Sequence, residues 1–264
     1  MNILETIVAQ KKKEVAQKKQ IMDIDFFKSI SNDFDRKAIS LKEVLLSKPA
    51  NIIAEFKRKS PSKGWLNEHI QVAEVVPEYE AHGAAAVSLL TDKLFFGGDI
   101  EELKIARSEI EIPILRKDFM IDEFQLYEAK AYGADVILLI AACLSKQAVK
   151  QLAQKAKELQ LEVLLEIHSK KELDVFCDEV DIIGINNRNL ETFVTDTQTS
   201  INLLQIIPSN KPVISESGIS DIDTIINLHT LGCKGFLMGE AFMKAPKPAI
   251  AFADFMKQLK AKIK

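Results

Sequence analysis

Cysteine is scarce in this chain, and so are tryptophan, tyrosine and histidine: 264 residues hold three Cys, one Trp, three Tyr and four His. Cys143, Cys177 and Cys233 are odd in number, far apart and form no CxxC. That argues against a disulfide framework or a zinc site and suits a reducing compartment, so a cytoplasmic location is expected. No metal site is expected. No apolar run approaches the roughly 18 residues that suggest a membrane span, so no membrane partner is expected. The N-terminus is Lys-rich and amphipathic and lacks the unbroken apolar stretch of a secretory signal. A GxGxxG fingerprint is also missing. The net charge of −3 gives no global reason to expect a nucleic-acid partner.

What the chain does have is 47% hydrophobic residues, enough for a sizeable core, and eight short apolar runs. They cover residues 52–56, 85–90, 113–116, 136–141, 163–167, 182–185, 213–215 and 235–238. Rich in Val, Ile and Leu and apolar on both faces, they read as buried parallel strands. The segments between and after them have helical periodicity: 72–82, 100–109, 122–132, 146–160, 170–177, 197–207, 221–231 and 248–260. Open doubly wound sheets share this alternation. Eight runs without a GxGxxG favour closure, and the length fits an α/β fold of the (β/α)8 TIM-barrel type.

Residues 1–48 precede the repeat. Ile3, Leu4, Ile7, Val8 and Val15 fall near helical spacing, and Asp25, Phe26 and Phe27 open a second helical stretch. An apolar face needs a partner, so the segment reads as a helical extension packed on the barrel rather than a solvated tail. The expected division is an extension, 1–48, and a barrel, 49–264, within one structural domain. The apolar face of the extension is expected over or beside the rim.

In such a barrel the active site is built where strands end on the C-terminal side, and Lys57, Lys117, Glu166, Asn186, Glu216, Ser217 and Gly239 lie at or just past those ends. Glu55 and Lys57 share a strand face with Ile53, so both point inward, where mutual pairing would offset the cost of burying charge. Lys57-Arg58-Lys59 and Lys63 form a basic cluster that would also suit nucleic acid, but it is short, and its Ser-Pro-Ser-Lys-Gly ending reads as a loop shaped around a small anion. Lys117 is a candidate general acid if a neighbouring cation or partial burial lowers its pKa, with Phe119 an apolar wall beside it. Glu166, beside apolar walls, is a candidate general base with a raised pKa. His168 lacks metal-ligand spacing and reads as a supporting or surface residue. Asn186 and Arg188 suit substrate binding and an Asn-rich turn equally well. Gly218 and Gly239 end the seventh and eighth runs, where this fold often binds phosphate. A helix starting near Glu240 would add its positive end, provided the carboxylate turns away from the anion.

Taken together, IAEFKRKSPSKG at 53–64, LRKDF at 115–119, GINNRNL at 184–190 and SESGI at 215–219 closely resemble the indole-3-glycerol-phosphate synthase family. The resemblance covers nearly the whole chain. It implies closure of 1-(2-carboxyphenylamino)-1-deoxyribulose 5-phosphate to indole-3-glycerol phosphate, with loss of carbon dioxide and water and no cofactor. By the family's pattern Lys117 is the acid and Glu166 the base. Lys57 holds the anthranilate carboxylate, while Glu55 and Asn186 position Lys57 and the intermediate. Ser60 and Arg188 line the substrate site, and Phe96 and Phe119 hold the aromatic ring. Ser217, Gly218, Gly239 and Glu240 match the phosphate positions. The partner expected is this phosphorylated small molecule, and the chain is expected to be a monomer. One departure is Asp99 in Phe95-Phe96-Gly97-Gly98-Asp99, where the family usually has Ser; it reads as a replacement helix cap. Phosphoribosylanthranilate isomerase, the enzymatic alternative, would need a Cys/Asp pair, and no Cys ends the first or fifth run. A non-catalytic phosphometabolite-binding barrel would need neither Lys117 nor Glu166.

Overall fold

The computed structural model describes residues 2–31, 34–190, 192–207 and 210–263. Among the described residues eight strands form the barrel, β1 Asn51–Phe56, β2 Ala86–Leu90, β3 Ile114–Lys117, β4 Val136–Ile140, β5 Glu162–Ile167, β6 Ile182–Asn186, β7 Val213–Glu216 and β8 Gly235–Met238, while Lys59–Ser60 and Gly64–Trp65 pair separately as a short antiparallel hairpin. Each barrel strand pairs in parallel with its sequence neighbours, and β8 returns to β1 with Asn51 opposite Gly235, so the sheet closes into the expected barrel. Alternate residues of each strand enter different clusters. Ile53, Leu115, Leu164, Ile182, Ile214 and Leu237 fill the interior. Ile52, Ala54, Phe56, Val87 and Leu89 face outward and pack under the surrounding helices. Both faces are therefore dry, which explains why the runs are continuously apolar rather than alternating.

The helices between strands follow the predicted periodicities with shorter ends, Val72–Ala81, Glu101–Glu109, Phe124–Ala131, Lys146–Glu158, Gln198–Leu204 and Ile222–Thr230, whereas Pro248–Lys262 after β8 runs two residues past the expected end. One connection departs. Residues 170–177 are expected to be a helix, but Lys170–Val175 winds as 3-10 turns. The partly buried Leu173 and Phe176 are three apart, matching the three residues per turn of that winding, and the Phe176 amide donates to the Leu173 carbonyl.

Among the described residues three helices precede the barrel. α1, Ile3–Ile21, starts at a capping box in which Asn2 and Glu5 exchange hydrogen bonds. α2, Ile24–Ile30, is capped by Asp23 and buries Phe27 edge-on against Phe124, ring centres 4.9 Å apart. α3, Leu41–Ser47, is capped by Ser40. Leu41 and Leu45 of α3 belong to the interior cluster, and the amide of Lys42 donates to the Glu162 carboxylate at the start of β5, 3.0 Å away. The α3 helix thus plugs the N-terminal mouth of the barrel, while α1 reaches the opposite mouth.

Candidate active site

The period of two that fills the interior also builds the site. Two residues beyond an inward apolar residue, five of the eight barrel strands place their next inward position at the C-terminal mouth. Ile53 is followed by Glu55 and Lys57, Leu115 by Lys117, Leu164 by Glu166, Ile214 by Glu216 and Leu237 by Gly239. There they line one cavity, together with Ser60, Phe96, Phe119, Asn186, Arg188, Ser217, Gly218 and Glu240. Every candidate site residue read from the sequence therefore borders the same space. Ile3, Leu4 and Ile7 of α1 roof it, whereas Val8 is not among the lining residues.

The floor of the cavity is ionic. Lys57 Nζ donates to Glu55 Oε1 at 2.5 Å. Lys117 Nζ donates to Glu216 Oε2 at 2.7 Å and to Glu166 Oε2 at 3.1 Å. Burial alone would lower the Lys117 pKa, but the surrounding Glu216, Glu166 and Glu55 raise it above the ordinary lysine value, so the side chain is an ammonium. The expectation of a lowered lysine is reversed because carboxylates, not cations, surround it.

Glu166 departs from expectation in the same way. Burial pushes its pKa up, yet Lys117, His168 and a hydrogen bond from Asn186 bring it below the ordinary carboxylate value. The raised carboxyl is Glu216, pushed up to about 7 by burial against the opposing pull of Lys117, with Glu166 and Glu55 adding to the rise. Its Oε1 is buried without a hydrogen-bond partner among the described residues. Gly184 makes room for it: a Cβ there would lie 2.4 Å from Glu216 Oε1. The sequence marked Glu216 as a rim residue but gave it no role, although its place two residues after Ile214 is the same signal that found Lys117. His168 sits beside Glu166, Nε2 3.5 Å from Glu166 Oε1 and Nδ1 3.3 Å from Glu172 Oε2.

An aromatic wall closes one side. Phe96 and Phe119 have ring centres 6.2 Å apart at a tilt of 38°. Phe96 ends a single turn, Lys93–Phe96, capped by Asp92. On another side, Arg188 Nη1 donates to Ser62 Oγ at 2.8 Å, and Lys63 Nζ donates to Glu240 Oε1 at 2.5 Å. Burial would raise Glu240, but Lys63 and Arg188 hold it below the ordinary carboxylate range. The loop after β1 is thereby tied to the loops after β6 and β8. Its basic residues are dispersed: Lys57 enters the cavity, Arg58 pairs with Glu102 at 2.7 Å and Lys59 donates to the Leu94 carbonyl.

Ser217 and Gly218 are both left-handed, with φ of 66° and 72°. Gly239 leaves room for Glu55: a Cβ there would lie 2.7 Å from Glu55 Oε1 and 2.8 Å from Glu55 Cβ. Asp99 accepts from the Glu101 amide at 3.0 Å, the cap expected of it. Among the described residues no cluster of three or more His, Cys, Asp or Glu could hold a metal, and no helix is long and apolar enough to cross a membrane.

A closed (β/α)8 barrel with lysines and carboxylates gathered at its C-terminal mouth is the architecture of a metabolic enzyme of the acid–base class. Comparison with known proteins narrows the class. The family model described as Indole-3-glycerol phosphate synthase matches residues 4–255. A protein of that name from Bacteroides thetaiotaomicron is 48% identical over 258 residues, covering 98% of this chain and 99% of its own. Another from Albidiferax ferrireducens is 40% identical over 260 residues, covering 96% of this chain and 97% of its own. The structure of a mutant tryptophan synthase α-subunit from Pyrococcus furiosus superposes with a TM-score of 0.61 at 16% identity, covering 81% of this chain and 99% of that one, which shows a shared fold. The chain belongs to the indole-3-glycerol phosphate synthase family.

Proposed function

We propose that this chain is a carboxy-lyase of tryptophan biosynthesis that converts 1-(2-carboxyphenylamino)-1-deoxyribulose 5-phosphate to indole-3-glycerol phosphate. The observation that carries the reading is Lys117, an ammonium held between Glu166 and Glu216 in the cavity that Phe96 and Phe119 also line. The substrate's aromatic ring lies against the two phenylalanines and its carboxylate against Lys57. Ser60 and Arg188 line its path. The phosphate lies at the backbone of Ser217, Gly218, Gly239 and Glu240, with the Glu240 carboxylate drawn aside by Lys63 and Arg188.

The ring carbon bearing the carboxylate attacks the ketone carbon while Lys117 gives a proton to the ketone oxygen. Carbon dioxide leaves, and its bonding electrons restore the aromatic ring. A second proton lets the new hydroxyl leave as water, and Glu166 takes the proton from the methylene beside the nitrogen. Glu55 and Asn186 orient Lys57 and Glu166. Lys117 is asked to donate twice, so it must be reprotonated between steps. Glu216, which keeps a proton up to about pH 7 and lies 2.7 Å from Lys117 Nζ, is placed to supply it. A second reading, with Glu216 rather than Glu166 as the base, is favoured only by its raised pKa.

The isomerase alternative has no support at the rim: Cys143, Cys177 and Cys233 do not line the cavity. The dispersal of the basic loop speaks against nucleic acid as a partner. Three free thiols fit the cytoplasm, and a monomer is the proposed state. The test is indole fluorescence on mixing the purified chain with synthetic substrate. The wild-type chain forms product, and Lys117→Ala loses at least about a hundredfold in turnover. Glu166→Gln loses more than Glu216→Gln if Glu166 is the base; the reverse order assigns the base to Glu216. Near-normal turnover by Lys117→Ala would remove the acid from the scheme.

A further inference from the structure

Lys11 belongs to the N-terminal helix, yet its charge is spent at the rim of the barrel. It lies one turn beyond Ile7, on the same face of α1, and is buried. Its Nζ is 2.9 Å from Asp92 Oδ2 and 2.9 Å from Asp118 Oδ1, with Glu14 Oε2 at 3.1 Å. Both aspartates are buried and both border the cavity. Each also holds one of the two phenylalanines. Asp92 Oδ1 accepts from the Phe95 amide at 2.8 Å and so caps the turn that ends at Phe96. Asp118 Oδ1 accepts from the Phe119 amide at 2.8 Å, and Asp118 directly follows Lys117.

We propose that Lys11 is a positioning residue of the active site: its ammonium, clamped between Asp92 and Asp118, fixes the α1 roof and the two ring-bearing loops in one arrangement. The proposal rests on the reading that the substrate's ring lies against Phe96 and Phe119.

The clamp is part of a longer chain of charge. Asp118 Oδ2 accepts from Thr91 Oγ1 at 2.7 Å and from Arg116 Nη2 at 3.2 Å. Arg116, fully buried, reaches Glu128 at 2.7 Å, and Lys18 of α1 also pairs with Glu128, at 2.5 Å. Asp118 therefore keeps a cation when Lys11 is removed, through Arg116. Asp92 loses the one cation within ion-pair distance among the described residues. A buried carboxylate left unpaired is unfavourable, and Asp92 can relieve that by turning outward. Turning would uncap the Lys93–Phe96 turn and shift the Phe96 ring. Small displacements of a positioning element are enough to reduce rates severely. The sequence offered Lys11 only as one of several lysines between apolar residues of α1, and nothing in its local pattern points to two aspartates roughly 80 and 110 residues away.

The experiment compares two ligands on the full-length chain. Indole-3-glycerol phosphate carries ring and phosphate, and glycerol 3-phosphate carries only the phosphate arm. Calorimetric titration of Lys11→Met is expected to weaken the ring-bearing ligand about tenfold and leave glycerol 3-phosphate within about twofold, with KM rising more than kcat falls. Lys11→Arg, which keeps the charge, restores most of the loss. Equal weakening of both ligands, or of neither, would overturn the proposal. If Lys11→Met does not fold, Lys11→Met with Asp92→Asn removes the stranded charge while leaving an amide oxygen to cap the turn. The double variant keeps the cap but has lost the ammonium that ties α1 to both loops, so it is still expected to weaken the ring-bearing ligand selectively. One that binds both ligands normally overturns the clamp, and so does one that fails to fold, since Lys11 is then a folding residue. Phe119→Ala serves as the control on the underlying reading. If it weakens both ligands alike, the ring placement itself is wrong; if it discriminates and Lys11→Met does not, only the clamp is wrong.

Discussion

Lys117 stands between two carboxylates of the same burial that come out with opposite pKa shifts. Glu166 gains from His168 and Asn186 as well as from Lys117, whereas Glu216 Oε1 faces no donor among the described residues. Sequence spacing located both residues, because the period of two that makes Leu164 and Ile214 inward makes Glu166 and Glu216 inward too. It could not say which would be raised, because the deciding groups come from other strands and from the turn after β5. A stability consequence follows. The folded chain holds a proton on Glu216 up to about pH 7, while the unfolded chain releases it near 4.5. Between those values the folded state binds more protons, so stability falls as pH rises through the window. Glu166 works the other way, its contribution being lost only as pH falls through its depressed value. Glu216→Gln is therefore expected to flatten the decline in melting temperature between about pH 5 and about pH 8. An unaltered decline would show that Glu216 is not the raised group.

Element by element, the strands were legible because burial on both faces leaves a continuous apolar run, and the helices because a partly exposed helix keeps its period. The 170–177 segment misled because spacings of three serve either winding over so short a stretch. The α3 helix was not singled out within residues 1–48, although Ser40 followed three residues later by Glu43 is a capping signal just ahead of the Leu41–Leu45 pair. What no local signal shows is that this short helix closes the barrel floor. Leu45 is fully buried in the interior cluster, and Gly235 is kept free of a Cβ that would meet it at 2.5 Å. Leu45→Ala should leave a cavity and cost about 2–5 kcal/mol. The site is at the opposite mouth, so kcat and KM at a temperature where the variant is folded should match the parent. A change in KM would mean that α3 reaches the site through the strands.

Across the whole molecule, one N-terminal segment serves both mouths of the barrel. Its α3 helix fills the floor with Leu41 and Leu45, and α1 roofs the cavity with Ile3, Leu4 and Ile7 while Lys11 and Lys18 tie it down. The sequence foresaw an apolar face over or beside the rim. It did not foresee the buried ion pairs, which make removal of the whole segment a poor probe of the roof. Deleting α1 would strand Asp92 and cost Glu128 one of its two cations, so stability and kinetics would fall together and neither could be assigned. A single roof residue separates them. Leu4 is half-buried, borders the cavity and has no part in the ion pairs. Leu4→Ser should let water reach the ionic floor, where exclusion of solvent strengthens the fixed contacts of Lys117 and Lys57 to developing charge. KM should rise or turnover fall by severalfold, while stability changes by only about 0.5 kcal/mol, as for substitutions outside the packed core. Measured beside Leu45→Ala, the two variants form a crossed pair: one changes kinetics without stability, the other stability without kinetics. Normal kinetics in Leu4→Ser would reduce α1 to a cover on the barrel and remove it from the account of catalysis.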